Sequence, residues 1–454
     1  MTIWLPEIGA SSRPLYLAIA DALAADVAAG RLASGDRLPP QRDLADRLGL
    51  TVTTVTRAYQ EAARRGLVEG EVGRGTYVRA GMGGEEDALG APVDLALNAV
   101  PPHEHAVELA ARLAPAGRLA DRVRTLDYQP PGGMPAHAEA GRHWFAQRGW
   151  DPGEHEVLVT AGAQHGLLVA LMAVLSPGVG LMAEEVTYAG LKDLAAMLQV
   201  AVHPVALDED GLRPDDLEAV CRRTSARVLY LMPALQNPTG LAMRADRQDA
   251  IVSCARRHDL TIVEDDTYGF VAPEVPLVAA RAPERTLVVT SLSKSVAGGL
   301  RVGFLAAPAR WRDALASGIW NTVVMASPVT AAIAAALVRD GTAAKVAAWK
   351  RGELQARQAL ARRVLGRVPA GTHAASPHVW LPLERPWKAD AFAAQARRRG
   401  VLVTPSTAFS VREGASPRAV RVALGVPRTR ERLAAALQVL ADLHREGPRS
   451  APVM

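Results

Sequence analysis

The run Gly81-Met82-Gly83-Gly84-Glu85-Glu86-Asp87-Ala88-Leu89-Gly90-Ala91-Pro92 is Gly-rich, acidic and without an apolar period, and the chain obeys different hydrophobic rules on its two sides. A stretch of this kind has no face to bury, so it reads as a flexible linker over residues 81–92. Ahead of it, in residues 1–80, Leu15, Ile19, Leu23 and Val27 recur every four residues and predict a helix that stops near Gly30. Leu44, Ala45 and Leu48 give a second helix ended by Gly49. Thr51 to Thr54 supply caps for a third, with Val55, Ala58, Tyr59 and Ala62 on its inner face. Gly66-Leu67-Val68 and Gly75-Thr76-Tyr77-Val78, joined by Glu71-Val72-Gly73-Arg74, predict a two-stranded hairpin. Three helices, a Gly49-centred turn and a hairpin make a winged helix-turn-helix, whose third helix would enter a DNA major groove.

Behind the linker, short Val/Leu/Ile runs alternate with helical stretches, the pattern of an α/β fold around a largely parallel sheet. The predicted strands are Val157–Thr160, Val179–Ala183, Val202–Ala206, Val228–Met232, Thr261–Val263, Thr286–Thr290 and Val302–Ala306. From Pro328 onward helices dominate, interrupted by Val379–Leu381, Val401–Val403 and Val420–Ala423. The expected organisation is therefore a large α/β domain over 93–327 and a small α+β subdomain over 328–454. A length of 454 residues suits about three such bodies. The uncharged run Ala316–Val338 is long enough to span a bilayer, but Ser317, Asn321, Thr322, Ser327, Pro328 and Thr330 punctuate it. It reads as a loop followed by a buried Ala-rich helix starting at Ser327-Pro328, not as a membrane span. Met1 to Gly30 has no basic leader region, and Asp21 and Asp26 interrupt its apolar stretch, so no secretory signal is expected.

Charge is a weaker guide. The net charge is +5, yet residues 1–80 hold ten Arg and nine Asp or Glu, so a DNA-binding role has to rest on the motif. The composition of the basic set says more: of 52 basic residues only Lys192, Lys294, Lys345, Lys350 and Lys388 are lysines. Two cysteines, Cys221 and Cys254, are too few for a disulfide framework; they fit a reducing cytoplasm and read as small core residues. His103 and His105 have no further ligands at metal spacing, and no metal site is assigned. His165 and His258 read as core or helix-surface histidines.

Ser291-Leu292-Ser293-Lys294-Ser295 lies just beyond a predicted strand, with Arg301 seven residues further on. A lysine at a buried strand end is costly unless paired or deprotonated, and a neutral amine forms a Schiff base with an aldehyde. Nearby hydroxyls and a guanidinium suit a phosphate, and an amine beside a phosphate site points to pyridoxal phosphate. Thr160-Ala161-Gly162-Ala163-Gln164 opens a helix after a strand, which makes an anion site of its amides. Asn237-Pro238-Thr239-Gly240 follows a further strand. Glu264-Asp265-Asp266-Thr267-Tyr268 puts a carboxylate at the carboxyl end of another, where open α/β sheets bind ligands.

Arg37-Leu38-Pro39, Arg42-Asp43-Leu44-Ala45, Thr54-Val55-Thr56-Arg57-Ala58-Tyr59 and Gly73-Arg74-Gly75-Thr76 resemble the GntR family in order. The elements behind the linker resemble the class I/II aminotransferases of fold type I, and the whole chain resembles the MocR subfamily of GntR regulators. That resemblance implies that Lys294 carries pyridoxal phosphate, that Asp265 pairs the pyridinium nitrogen, and that Tyr268 and Asn237 bind the phenolate oxygen. It places Ala163, Gln164, Ser291 and Arg301 at the phosphate and Tyr188 on the ring. Tyr128 would reach the phosphate of a neighbouring subunit, implying a homodimer, and Arg421 would clamp an α-carboxylate. Arg42, Thr53, Thr54, Arg57 and Arg74 are the expected DNA contacts. The sequence departs from the family pattern at Val52, where Arg is common, and at Val186, Gly298 and Pro377, which bear on loop geometry alone.

The expected function is a cytoplasmic transcription regulator that binds operator DNA and senses pyridoxal phosphate, an amino acid or an amine. The alternatives are an active aminotransferase, or a lyase or decarboxylase using the same cofactor.

Overall fold

The computed structural model describes residues 4–6, 14–28, 31–32, 36–64, 67–71, 75–78, 92–102, 127–176, 178–412, 414 and 416–447. Contacts divide the chain into two units, Met1–Ala91 and Pro92–Met454. Linker residues 81–91, Arg74, His103 and His105 lie outside the described residues.

The first unit holds α1 (Leu15–Ala28), α2 (Gln41–Leu48), α3 (Val52–Arg64) and an antiparallel hairpin of β1 (Val68–Glu71) and β2 (Gly75–Val78). Helix α2 stops because Gly49 turns left-handed at φ 64° and returns its N–H to the carbonyls of Ala45 and Asp46. Helix α3 starts where the Thr51 hydroxyl accepts the Thr54 N–H at 3.3 Å. Ile19, Leu23, Leu44, Val55, Ala58, Tyr59 and Ala62 make the core, and the Tyr59 hydroxyl is satisfied by the Pro39 carbonyl at 2.8 Å. The predicted stripe of α1 reaches the core only from Ile19 onward, since Leu15 is exposed.

The second unit starts with β3 (Val93–Asp94) and builds a seven-stranded sheet. Its strands are β4 (Glu156–Thr160), β5 (Leu181–Glu184), β6 (Val202–Val205), β9 (Val228–Leu231), β10 (Thr261–Asp265), β11 (Thr286–Ser291) and β12 (Gly303–Ala307). Beyond β6, β7 (Leu207–Asp208) and β8 (Gly211–Leu212) form a small separate hairpin. The order is β4-β12-β11-β10-β9-β5-β6, parallel throughout except for β12, which runs against both neighbours. Each of the seven predicted runs is a strand of this sheet. Both faces are buried, which is why the strands read as continuous apolar runs. Val228 and Tyr230 point into one core while Leu229 and Leu231 point into another on the opposite face.

A third core, around Leu95, Phe392, Val420 and Leu437, belongs to the C-terminal part. There β13 (His378–Pro382), β15 (Thr404–Pro405) and β16 (Ala419–Ala423) form an antiparallel sheet in the order β13-β16-β15, and β14 (Val401–Leu402) pairs in parallel with β3. One sequence expectation is corrected. The stretch read as a loop after Ala316 is largely helix, Arg312–Val323, because Leu315, Gly318 and Ile319 recur at helical spacing and are buried. Gly318 permits the approach: a Cβ there would meet Val169 Cγ1 at 3.2 Å. The helix Pro328–Arg339 follows as expected, with Ala331, Ala334 and Ala335 buried. Among the described residues no helix is long and apolar enough to cross a membrane.

Candidate functional site

The carboxyl ends of β4, β5, β9, β10 and β11 converge on a cavity of about 800 Å³. Ala163, Gln164, Tyr188, Asn237, Asp265, Tyr268, Ser291, Lys294, Arg301 and Arg421 all line it. Tyr128 does not, and it is 84% exposed.

Lys294 sits on a short helix, Leu292–Ser295, whose N-cap is the Ser291 hydroxyl accepting the Ser293 N–H at 3.0 Å. Its Nζ donates to the Asn98 carbonyl at 2.5 Å. Burial, together with the positive charges of Arg421 and Arg301, pulls the amine down to a pKa of about 8. At pH 7 about one amine in ten is then neutral, against about three in ten thousand for an ordinary lysine. Capture of an aldehyde is expected to speed up about tenfold per pH unit until about pH 8 and then level off, because only the neutral amine attacks. Stopped-flow mixing with pyridoxal phosphate across that range measures this, and a flat profile would contradict it.

Asp265 ends β10, and its carboxylate accepts the Thr267 N–H at 3.0 Å and the Tyr230 hydroxyl at 2.9 Å. Burial raises its pKa. Asp266 points elsewhere: the Arg148 guanidinium grips it through Nε and Nη2 at 3.1 Å and also caps the Pro273 and Val275 carbonyls at 2.9 and 3.0 Å. Of the two neighbouring carboxylates, only Asp265 therefore faces the cavity.

Gly162 precedes the helix Ala163–Val174 at φ 89°, and a Cβ there would lie 2.7 Å from Arg301 Nη2. Only glycine fits this cradle, where helix amides and a guanidinium face the same space. Arg301 is itself held left-handed at φ 50°, with Nη1 on the Ser293 hydroxyl at 3.3 Å and Nη2 on the Ala161 carbonyl at 3.2 Å. The Gln164 and Ser291 side chains are engaged within the fold. Gln164 accepts the Tyr188 hydroxyl at 3.0 Å and donates to the Gly190 carbonyl, while Ser291 donates to the Val302 carbonyl. Gln164 thereby fixes the Tyr188 ring.

Arg421, on β16, donates to Asn237 Oδ1 at 3.0 Å and to the Ala96 carbonyl at 2.7 Å, and lies 4.7 Å from the Phe409 ring centroid. Its acceptors are neutral, its Nε has no partner, and burial lowers its pKa, so an incoming carboxylate is its missing counterion. Because Asn237 accepts from Arg421 through Oδ1, its Nδ2 is left to donate elsewhere.

Asn98, His378 and Lys350 join the site although none of the motifs above marks them. Asn98 Nδ2 reaches the Tyr268 hydroxyl at 2.8 Å and His378 Nδ1 at 3.2 Å, leaving Oδ1 buried without a partner. Burial and the Arg421 charge push His378 down to about 3, so the imidazole is neutral. Lys350 lines the cavity and donates to the Val296 carbonyl at 2.6 Å. The only signal for Asn98 was a lone polar residue within the apolar Leu95–Val100 stretch. In the first unit Arg42, Thr53 and Arg57 are exposed and Thr54 is half-buried; Arg57 stacks 4.5 Å from the Tyr16 ring centroid.

An amine whose proton is loosened by burial, an anion cradle at a left-handed glycine, a buried carboxylate and an uncompensated guanidinium match pyridoxal phosphate group by group. Residues 92–440 match the family "Aminotransferase class I and II", and the chain belongs to it. Residues 15–78 match the gntR family of bacterial regulatory proteins, so the chain is a gntR head fused to an aminotransferase fold. It is 28% identical over 452 residues to the HTH-type transcriptional regulator YdeF of Bacillus subtilis, covering 97% of this chain and 96% of that one. It is 27% identical over 300 residues to the vitamin B6 salvage pathway transcriptional repressor PtsJ of Salmonella typhimurium, covering 63% of this chain and 66% of that one. Among solved structures it resembles Pyrococcus horikoshii kynurenine aminotransferase in complex with PMP. The TM-score is 0.73 at 20% identity, over 79% of this chain and 92% of that one.

Proposed function

We propose that the chain is a cytoplasmic, pyridoxal-phosphate-dependent transcription regulator that binds operator DNA and senses the cofactor, an amino acid or an amine. The observation that carries this reading is the union, in one chain, of a gntR head with a cavity lined by most of the residues expected to bind the cofactor. The names of YdeF and PtsJ support it. In the head, α3 presents Thr53, Thr54 and Arg57 to the groove, with Arg42 and Arg74 on phosphates. The chain acts as a homodimer, and the exposure of Tyr128 away from its own cavity suits service at the partner's phosphate.

Bound pyridoxal phosphate supplies an aldehyde for an amine and a ring that draws electrons from the adjacent carbon. Arg301, the Gly162 cradle and the first amides of Ala163–Val174 would hold the phosphate, Asp265 would keep a proton on the ring nitrogen, and Tyr188 would stack on the ring. Tyr268 and Asn237 Nδ2 would donate to the phenolate oxygen. Arg421 would bind the effector carboxylate, and Lys294 would exchange the cofactor for the Asn98 carbonyl. That exchange favours one arrangement of the unit over another, which is the differential a sensor requires.

Footprinting on the upstream region of the chain's own gene, with and without pyridoxal phosphate and candidate amino acids, tests the reading. Protection should change with at least one of them, and protection indifferent to both would sink the sensor model. The presence of every group that transamination needs favours a second reading, an active aminotransferase. Release of 2-oxo acid over many turnovers would support it.

A further inference from the structure

Cys221 and Cys254 are the only cysteines among 454 residues, and both are buried. They lie on two packed helices, Pro214–Arg223 and Ala245–Arg257, in the core on one face of the large sheet. Glu218 stands three residues before Cys221 on the first helix, and His258 four residues after Cys254 at the end of the second, so each pair shares a helix face. The Cys254 thiol is 3.5 Å from Glu218 Oε2, and His258 Nε2 is 2.8 Å from Glu218 Oε1. The ligand atoms of Glu218, Cys254 and His258 all lie within 4.8 Å of one another. The Cys221 thiol, by contrast, lies 3.9 Å from Met182 Sδ and stands outside that cluster.

We propose that Glu218, Cys254 and His258 form a binding site for a thiophilic divalent cation of the zinc class. Core packing alone accounts for two buried thiols. It does not account for an imidazole nitrogen and a carboxylate converging on the same sulfur. One sulfur, one nitrogen and one oxygen are three of the donors of a tetrahedral site whose fourth position water fills, and small side-chain rotations bring atoms at these separations onto bonds of about 2.0–2.3 Å. Ligation replaces the Cys254 thiol proton, which leaves to solvent. Arg222 and Arg257 hold the Glu218 carboxylate at 2.8 and 2.7 Å, but their side chains are 72% and 59% exposed. One can swing to water while the other supports the non-ligating oxygen, as outer partners do at metal sites. None of the three residues lines the cofactor cavity, so the site is separate from it and would clamp the two helices together.

The test uses the full chain, cofactor-loaded, reduced and stripped with chelator, then titrated with zinc chloride against a chromophoric chelator and, separately, with cobalt chloride. The expected results are one tightly held zinc per chain and a thiolate-to-cobalt absorption band. Cys254→Ser and His258→Ala should each weaken zinc binding by more than about tenfold while leaving the visible absorbance of the bound cofactor in place. A cobalt spectrum without thiolate absorption, affinity unchanged in both variants, or isolation of the unreduced chain with a Cys221–Cys254 disulfide would overturn the proposal. If Cys254→Ser does not fold, the cobalt spectrum of the unaltered chain decides alone.

Discussion

Lys294→Ala should abolish all borohydride-fixed pyridoxal phosphate, since the chain then keeps no free amine aimed at the cavity. Only five lysines exist, and the sole competitor is Lys350, which also lines the cavity and whose amine burial brings to about 8. Lys350 is tethered, however, with Nζ on the Val296 carbonyl at 2.6 Å and on the Lys294 carbonyl at 3.3 Å. Peptide mapping of the reduced adduct separates the two lysines. Full labelling of the variant, or an unchanged visible spectrum, would refute the pyridoxal reading. On the proposed function, the same variant should lose any response of the footprint to amino acids while α3 still protects DNA, because the gntR match and the cavity lie in different units.

Arg148→Met is expected to cost about 3–5 kcal/mol of stability, the largest effect foreseen for a residue outside the cavity. The guanidinium and Asp266 are 5% and 2% exposed, so the variant strands a carboxylate in the interior and removes the donors of two carbonyls. Glu264 offers no relief: burial and the neighbouring Asp266 push its carboxyl up to about 8, so near neutrality the cluster balances as one cation against one anion. Urea unfolding of the full chain measures the loss. Adding Asp266→Leu to the variant should restore most of it, because removing both charges ends the desolvation penalty. A loss below about 1 kcal/mol in the single variant would show that the pair is not the buried anchor described.

The seven strands were legible because a sheet buried on both faces writes itself as uninterrupted apolar runs. Their order was not: nothing in Gly303–Ala307 says that it inserts antiparallel between β4 and β11. The helix Arg312–Val323 was missed because Ser317, Gly318, Asn321 and Thr322 are poor helix formers, and packing on the Ala163–Val174 helix overrode that preference. At the site, the motifs that resemble the family fell together in one cavity, with the exception of the exposed Tyr128. Residues that act through backbone carbonyls or as bridges, such as Asn98, Lys350 and His378, carry no spacing that marks them. That Asp265 and not Asp266 lines the cavity has its physical reason in the Arg148 grip on Asp266, a contact between residues far apart in the chain.

The antiparallel course of β12 bears on how the site comes together as the chain folds. Ser291 pairs with Gly303 in register, so Lys294, Ser293 and Arg301 all ride on the single connection between two hydrogen-bonded neighbours. Closing a loop of about a dozen residues costs little chain entropy. Lys294, Ser293 and Arg301 are thus a short-range structure, whereas the Gly162 turn, Tyr188, Asp265 and Arg421 must be gathered from distant stretches of chain and are set only when the whole sheet and the C-terminal core are in place.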